Sequence, residues 1–193
     1  MVSMHPILQR IQADHTAALD GFFRDCSNQI EQVAQRCAAA FTNGNKIMFC
    51  GNGGSACDAM HIAGEFVGRF VDDRRALPAL ALSADTGILT AIANDYAYDY
   101  IFARQVEGLG QPGDVLIGLS TSGKSPNVLR AFDAAHAKSI TTVLFTGEKA
   151  RGLPAVAEHT LLVPSRITAH VQEAHMVALH ALASLIEAQL FPA

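Results

Sequence analysis

Five short apolar runs recur along the chain, each closing at or just before a glycine, serine or proline. They are "KIMFCG" (46–51), "LPALAL" (77–82), "DVLIGLS" (114–120), "TTVLFTG" (141–147) and "HTLLVP" (159–164). Runs of five to seven residues that are apolar at nearly every position are too short for helices and read as strands buried on both faces. The segments between and around them carry helical spacing instead. Residues 4–41 place Ile7, Leu8, Ile11, Leu19, Phe22, Phe23, Ile30, Val33, Cys37 and Phe41 at that spacing, which predicts a long N-terminal helix ending at "TNGN". Further helices are predicted from the glycines after the first run to about Phe70, through most of 86–108 with a break at "NDYAYD", over 125–139, and from Thr168 to Leu190. In the third of these, Ser125 stands as N-cap and Pro126 at the first helical position. Strands alternating with helices imply an α/β fold: a five-stranded, mostly parallel sheet covered on both faces.

With 193 residues, 50% of them hydrophobic and 17% charged, the chain is expected to form one domain over 1–193, its N-terminal helical segment covering about 1–41. The formal charge of -4 gives no attraction towards nucleic acid or an anionic membrane. No apolar run reaches the roughly 18 residues of a membrane span, and "MVSMHPILQRIQADH" lacks the pattern of a signal peptide. Cys26, Cys37, Cys50 and Cys57 form no C-x-x-C pair and read as free thiols of a reducing cytoplasm.

In parallel sheets ligands bind beyond the carboxyl ends of the strands. Three polar loops fall there: "GNGGS" (51–55), "SADT" (83–86) and "STSGKS" (120–125). The last leaves a strand, offers Ser120, Thr121, Ser122 and Ser125, and enters a helix whose first N–H groups favour an anion. It is not a Walker A loop, and "GNGGSAC" is not the dinucleotide pattern, because residue 56 is Ala. Each loop alone is equally well explained by turn and cap chemistry. Two at neighbouring strand ends point to a sugar phosphate.

His61 and Glu65, four apart on the second helix, share one face, as a solvated ion pair would. The last helix, "TAHVQEAHMVALHALASL", adds Gln172, Glu173, His175 and His180, with His180 set among Val177, Leu179 and Leu182 as if facing something buried. A carboxylate and an imidazole meet the demand of an aldose–ketose isomerase for a base and an acid. His, Glu and His with a Gln oxygen would also suit Zn²⁺. Gln172 and His180 are eight residues apart, a rise of roughly 12 Å. If both serve one ion, one of them comes from another subunit or the helix start is irregular, so a site at a subunit interface is expected.

The runs "CGNGGSACDAMHIAGEFVGRF", "LPALALSADTGILTAIANDYAYDYIFARQVEGLGQPGDVLIGLSTSGKSPNVLRAF" and "VQEAHMVALHAL" resemble the bacterial phosphoheptose isomerases, which are built on the sugar-isomerase (SIS) domain. The resemblance covers the chain from about residue 40 to its end. It implies a three-layer α/β/α sandwich, a homotetramer with sites between subunits, and conversion of sedoheptulose 7-phosphate to D-glycero-D-manno-heptose 7-phosphate for lipopolysaccharide. By position it makes Glu65 the enediol base and His180 the acid, and His61, Glu65, Gln172 and His180 zinc ligands. Asn52, Gly53, Gly54, Ser55, Asn94 and Asp95, with Glu65 and Gln172, become substrate contacts, and Ser120, Thr121, Ser122 and Ser125 the phosphate pocket. The chain departs from the family at "TGEKARGLPAVAEH", where a Gly-Gly pair is common, and at Arg166, Ile167 and His170, where acidic residues and an Arg are common. These departures leave other heptose or pentose phosphates open as substrates. A non-catalytic alternative is a relative that binds the DnaA replication initiator or senses a sugar phosphate; those proteins share this fold and a C-terminal "LFP", found here at 190–192. They lack the pair matching Glu65 and His180.

Overall fold

The computed structural model describes residues 4–192. Five strands form one sheet: β1 (Ile47–Gly51), β2 (Ala79–Ala81), β3 (Val115–Leu119), β4 (Thr141–Gly147) and β5 (His159–Val163), in the order β2-β1-β3-β4-β5. All four pairings are parallel, so the sheet is parallel throughout rather than mostly so. Among the described residues six α-helices accompany it: α1 (Pro6–Thr42), α2 (Gly54–Val67), α3 (Thr86–Asp95), α4 (Ala103–Leu109), α5 (Pro126–Ala137) and α6 (Thr168–Leu190). The interruption expected at "NDYAYD" is a break between α3 and a 3₁₀ turn at Tyr98–Tyr100, after which α4 begins.

Alternation along the strands divides the core in two, since successive side chains face opposite ways. Ile47, Phe49, Ile117, Val143 and Phe145 face α1, α2 and α6. Met48, Cys50, Leu116 and Leu144 face α4 and α5, with Leu89 and Ile92 of α3 at the margin. The architecture is therefore a three-layer α/β/α sandwich. Phe22, Ile30, Val33 and Cys37 of α1 pack with Ala174, Ala178, Leu182 and Ile186 of α6. Each fully buried large apolar side chain there contributes about 1.5–3 kcal/mol. The apolar stripe of α1 outruns this core, and Ile7, Leu8 and Ile11 are exposed on the chain.

Asp114 organises the amino end of the sheet. Its carboxylate accepts from the backbone N–H of Lys46 and Gln111, from Lys46 Nζ at 2.6 Å and from Asn45 Nδ2. Burial would raise this carboxyl, but those bonds, led by Lys46, outweigh it and hold it below the usual carboxylate range. Cys26, Cys37 and Cys50 are buried and Cys57 is exposed, all four as free thiols. Burial pushes Cys37 and Cys50 up to about 12. Among the described residues no helix is long and apolar enough to cross a membrane.

Candidate active site

The strand order reverses between β1 and β3: from β1 the chain goes to β2 on one side, and β3 takes up the other. Ligands in open parallel sheets bind at such a switch point. The loops that leave its two strands are 51–55 and 120–125. Asn52 ties them together. Its Nδ2 donates to Asn127 Oδ1 at 2.9 Å, Asn127 Nδ2 donates back at 2.8 Å, and the Tyr98 hydroxyl donates to Asn52 Oδ1 at 2.9 Å. Asn127 is buried one residue inside α5 and Tyr98 sits in the 3₁₀ turn. Neither was marked by the sequence, since their role depends on contacts 75 and 46 residues away.

In the second loop, Ser120 and Ser125 join their hydroxyls at 2.9 Å, and Ser122 Oγ accepts from the N–H of Lys124. Ser125 occupies the N-cap position of α5 but makes no side-chain cap bond, because its hydroxyl has turned to Ser120. Gly123 has φ +66°, and a Cβ there would lie 2.7 Å from that of Ala150, so the loop needs glycine for both conformation and space. Thr121 is half-buried beside these serines. Asn94 and Asp95 lie exposed at the end of α3, with Asn94 Nδ2 donating to Asp95 Oδ1; it is Tyr98, three residues on, that reaches the first loop.

Helices α2 and α6 run side by side in the same direction. At their start, Gln172 Nε2 lies 3.4 Å from Ser55 Oγ, and a Cβ on Gly54 would come within 2.6 Å of that same nitrogen. Two turns further, His61 Nε2 and His180 Nε2 meet at 3.0 Å, and His61 Nε2 lies 3.4 Å from Glu65 Oε1. One ligand atom from each of His61, Glu65 and His180 falls within 4.8 Å of the others. Two imidazoles and a carboxylate are a donor set that suits Zn²⁺, so the residues fit that ion. The structure thus brings His61, Glu65 and His180 together within one chain and leaves Gln172 apart, on a regular α6.

The trio is not deeply buried. The His61 side chain is 50% exposed and Glu65 25%, and Met60 and Val177 are exposed close to it in sequence. His180 is half-buried and stacks on Phe70, with centroids 5.4 Å apart and planes at 19°. The fully buried histidine of α6 is His175, whose Nε2 bonds Thr146 O at 3.2 Å; burial pushes it down to about 4. One turn before His61, Asp58 is raised above the ordinary carboxylate range by burial, opposed by His61, and its Oδ2 has no hydrogen-bond partner among the described residues. Among the departures, Ile167 is the N-cap of α6 without a side-chain cap bond, and His170 is buried behind it. Leu190 and Phe191 of "LFP" pack against the core, with the Arg75 guanidinium 5.8 Å from the Phe191 ring centre.

The model of the SIS domain family matches residues 12–147. A phosphoheptose isomerase of Burkholderia pseudomallei is 52% identical over 162 residues, 84% of this chain and 82% of that protein. The solved phosphoheptose isomerase of Neisseria gonorrhoeae superposes with a TM-score of 0.83 at 38% identity, covering 94% of this chain and 99% of the other. That of Francisella tularensis gives 0.85 at 32%, covering 96% and 98%. By the family model, the sequence identity and the superposition together, this chain belongs to the phosphoheptose isomerases, aldose–ketose isomerases of the SIS-domain family.

Proposed function

We propose that the chain interconverts sedoheptulose 7-phosphate and D-glycero-D-manno-heptose 7-phosphate through an enediol, with Glu65 as base and His180 as acid. The observation that carries this reading is the convergence of His61 and Glu65, on the helix that starts from the switch-point loop, with His180 of α6. Glu65 takes a proton from C1 of the ketose and returns it to C2. His180 donates to the C2 oxygen as the carbonyl closes to an enediol, and a proton leaves the C1 oxygen as the aldehyde forms. No proton is gained or lost overall.

Ser120, Thr121, Ser122 and Ser125, at the N-terminus of α5, bind the phosphate through hydroxyls and backbone N–H groups. Asn52, Gly53, Gly54 and Ser55, with Asn94, Asp95 and Gln172, hold the sugar. His61, Glu65 and His180, joined by a Gln172 from a neighbouring subunit, would hold zinc, which when bound supplies Lewis-acid polarisation of the sugar oxygens. A ring nitrogen that held an ion would carry no proton, so with zinc bound His180 would donate from its other nitrogen.

The assembly in this reading is a homotetramer with sites at subunit interfaces. The trio lies open beside exposed Met60 and Val177, while Ile7, Leu8 and Ile11 extend the apolar stripe of α1 beyond its own core. Enediol chemistry needs a site closed to water. Its setting is the cytoplasm and its product a lipopolysaccharide precursor. The intact Glu65–His180 pair favours catalysis over a DnaA-binding or sensing adaptor. The deciding experiment incubates purified protein with sedoheptulose 7-phosphate, with and without chelator. Turnover that Glu65→Gln abolishes is expected; an active Glu65→Gln protein would overturn the assignment.

A further inference from the structure

Between α2 and β2 the sequence "GRFVDDRRALP" (68–78) looks like a charged surface loop. Arg74 does not behave as part of one. Its side chain is 2% exposed and that of its partner, Glu187 on α6, is 7% exposed. Arg74 Nε donates to Glu187 Oε1 at 2.7 Å. Nη1 donates to the carbonyls of Phe66 (2.8 Å), Gly68 (3.2 Å) and Arg75 (3.2 Å), and Nη2 to the carbonyl of Glu65 (2.8 Å). The last carbonyls of a helix have no partner inside it and form its negative pole. One guanidinium therefore closes the end of α2, and it holds the backbone of Glu65 in doing so.

Glu187 works in the other direction. It accepts from the N–H groups of Phe70 (3.4 Å) and Val71 (3.3 Å), and the Phe70 ring lies flat on the His180 imidazole. Glu187 follows His180 by seven residues, two turns along the same helix face. A single buried pair thus links the backbone of Glu65 to the helix that carries His180 and fixes the ring beneath that imidazole. Buried ion pairs are poor stabilisers, since apolar residues of similar volume often do as well. What apolar residues lack is a rigid fork of five directed donors.

We propose that Arg74 and Glu187 are positioning residues for the isomerisation: they set α2 against α6 so that His180 meets His61 and Glu65. This rests on the roles given above to Glu65 and His180. A lysine at position 74 keeps the charge opposite Glu187, but its single ammonium cannot reach both that carboxylate and four carbonyls. Arg74→Lys is expected to lower kcat about ten-fold or more, with KM within about two-fold, at a temperature where the protein is fully folded. Glu187→Gln, which keeps size and one acceptor, is expected to shift kcat the same way and carries the test if Arg74→Lys does not fold. A merely structural pair would lower the melting temperature and leave kcat of the folded protein unchanged.

The second readout needs no turnover. In protein with ¹⁵N-labelled histidine rings, the His180 resonance should move in both variants, while that of buried His175 should stay. Wild-type kcat in a folded variant, or an unmoved His180 resonance, overturns the proposal. Should the wild type fail to isomerise sedoheptulose 7-phosphate, the functional reading falls, and the His180 resonance still decides whether the pair positions that ring.

Discussion

His61 and His180 meet Nε2 to Nε2 at 3.0 Å although 119 residues separate them. The contact exists because α2 and α6 descend the same face of the sheet in the same direction, each beginning beyond the carboxyl end of a strand. Residues two turns beyond the Ser55–Gln172 contact therefore come level. Glu65 joins them from the next turn of α2, so one chain carries the whole trio.

That arrangement makes a prediction for mixed assemblies. Chains with Glu65→Ala and chains with His180→Ala each lack part of the trio, and mixing them should restore no activity. Mixing Glu65→Ala with Gln172→Ala chains should restore some if Gln172 completes the site from a neighbouring subunit. Random assembly would then leave about one site in four intact. Activity of refolded 1:1 mixtures, compared with each variant alone, distinguishes the two cases; equal silence in both would remove Gln172 from the interface.

Gly54 offers a finer probe. A Cβ there would lie 2.6 Å from Gln172 Nε2, the far end of a flexible side chain that can move aside. Gly54→Ala is therefore expected to keep its melting temperature within about 2 °C while lowering kcat/KM about ten-fold by displacing Gln172. Thermal melts and steady-state kinetics on one preparation test both halves.

Substitution at the opposite end of the sheet should do the reverse. Asp114→Ala removes the acceptor shared by Lys46, Gln111 and Asn45 and strands a half-buried ammonium. A loss of about 2–4 kcal/mol in unfolding free energy is expected, with kcat of the folded protein unchanged. Urea melts measure the first and an assay well below the transition the second.

His175 sets an acid limit. It is fully buried and pushed down to about 4, from an unfolded value near 6.5. The unfolded chain therefore binds a proton that the folded chain refuses between these values. Stability should be level above about pH 6.5 and fall as pH drops towards 4, by at most about 3 kcal/mol from this group. His175→Gln keeps a donor for Thr146 O and cannot titrate, so its stability should depend less on pH across that window. A pH series of denaturant melts on both proteins shows whether the curves diverge.

Much of the frame could be read from local pattern. The five apolar runs became the five strands, and "TTVLFTG" matches β4 at both ends, because a run buried on both faces carries its own signature. The loops at 51–55 and 120–125 were legible as turns at strand ends, because glycine and hydroxyl residues serve turns and helix caps. What stayed hidden depends on distant partners. Asn127 is an unremarkable helix residue until Asn52 faces it. Arg74 sits in a stretch so charged that burial of one member leaves no trace. His175 and His180 have equally apolar neighbours, and only the packing of α6 against β4 and α2 shows that the first is sealed and the second accessible.

The pairing of α1 with α6 has a consequence for how the protein is made. Helix α1 has its main helical partner in α6, and some 125 residues must be translated between them. At ribosomal rates that interval is roughly 6–25 seconds. Throughout it the stripe carrying Phe22, Ile30 and Val33 lacks the surface that will cover it. His180 emerges later still, so the nascent chain has no trio until α6 is free.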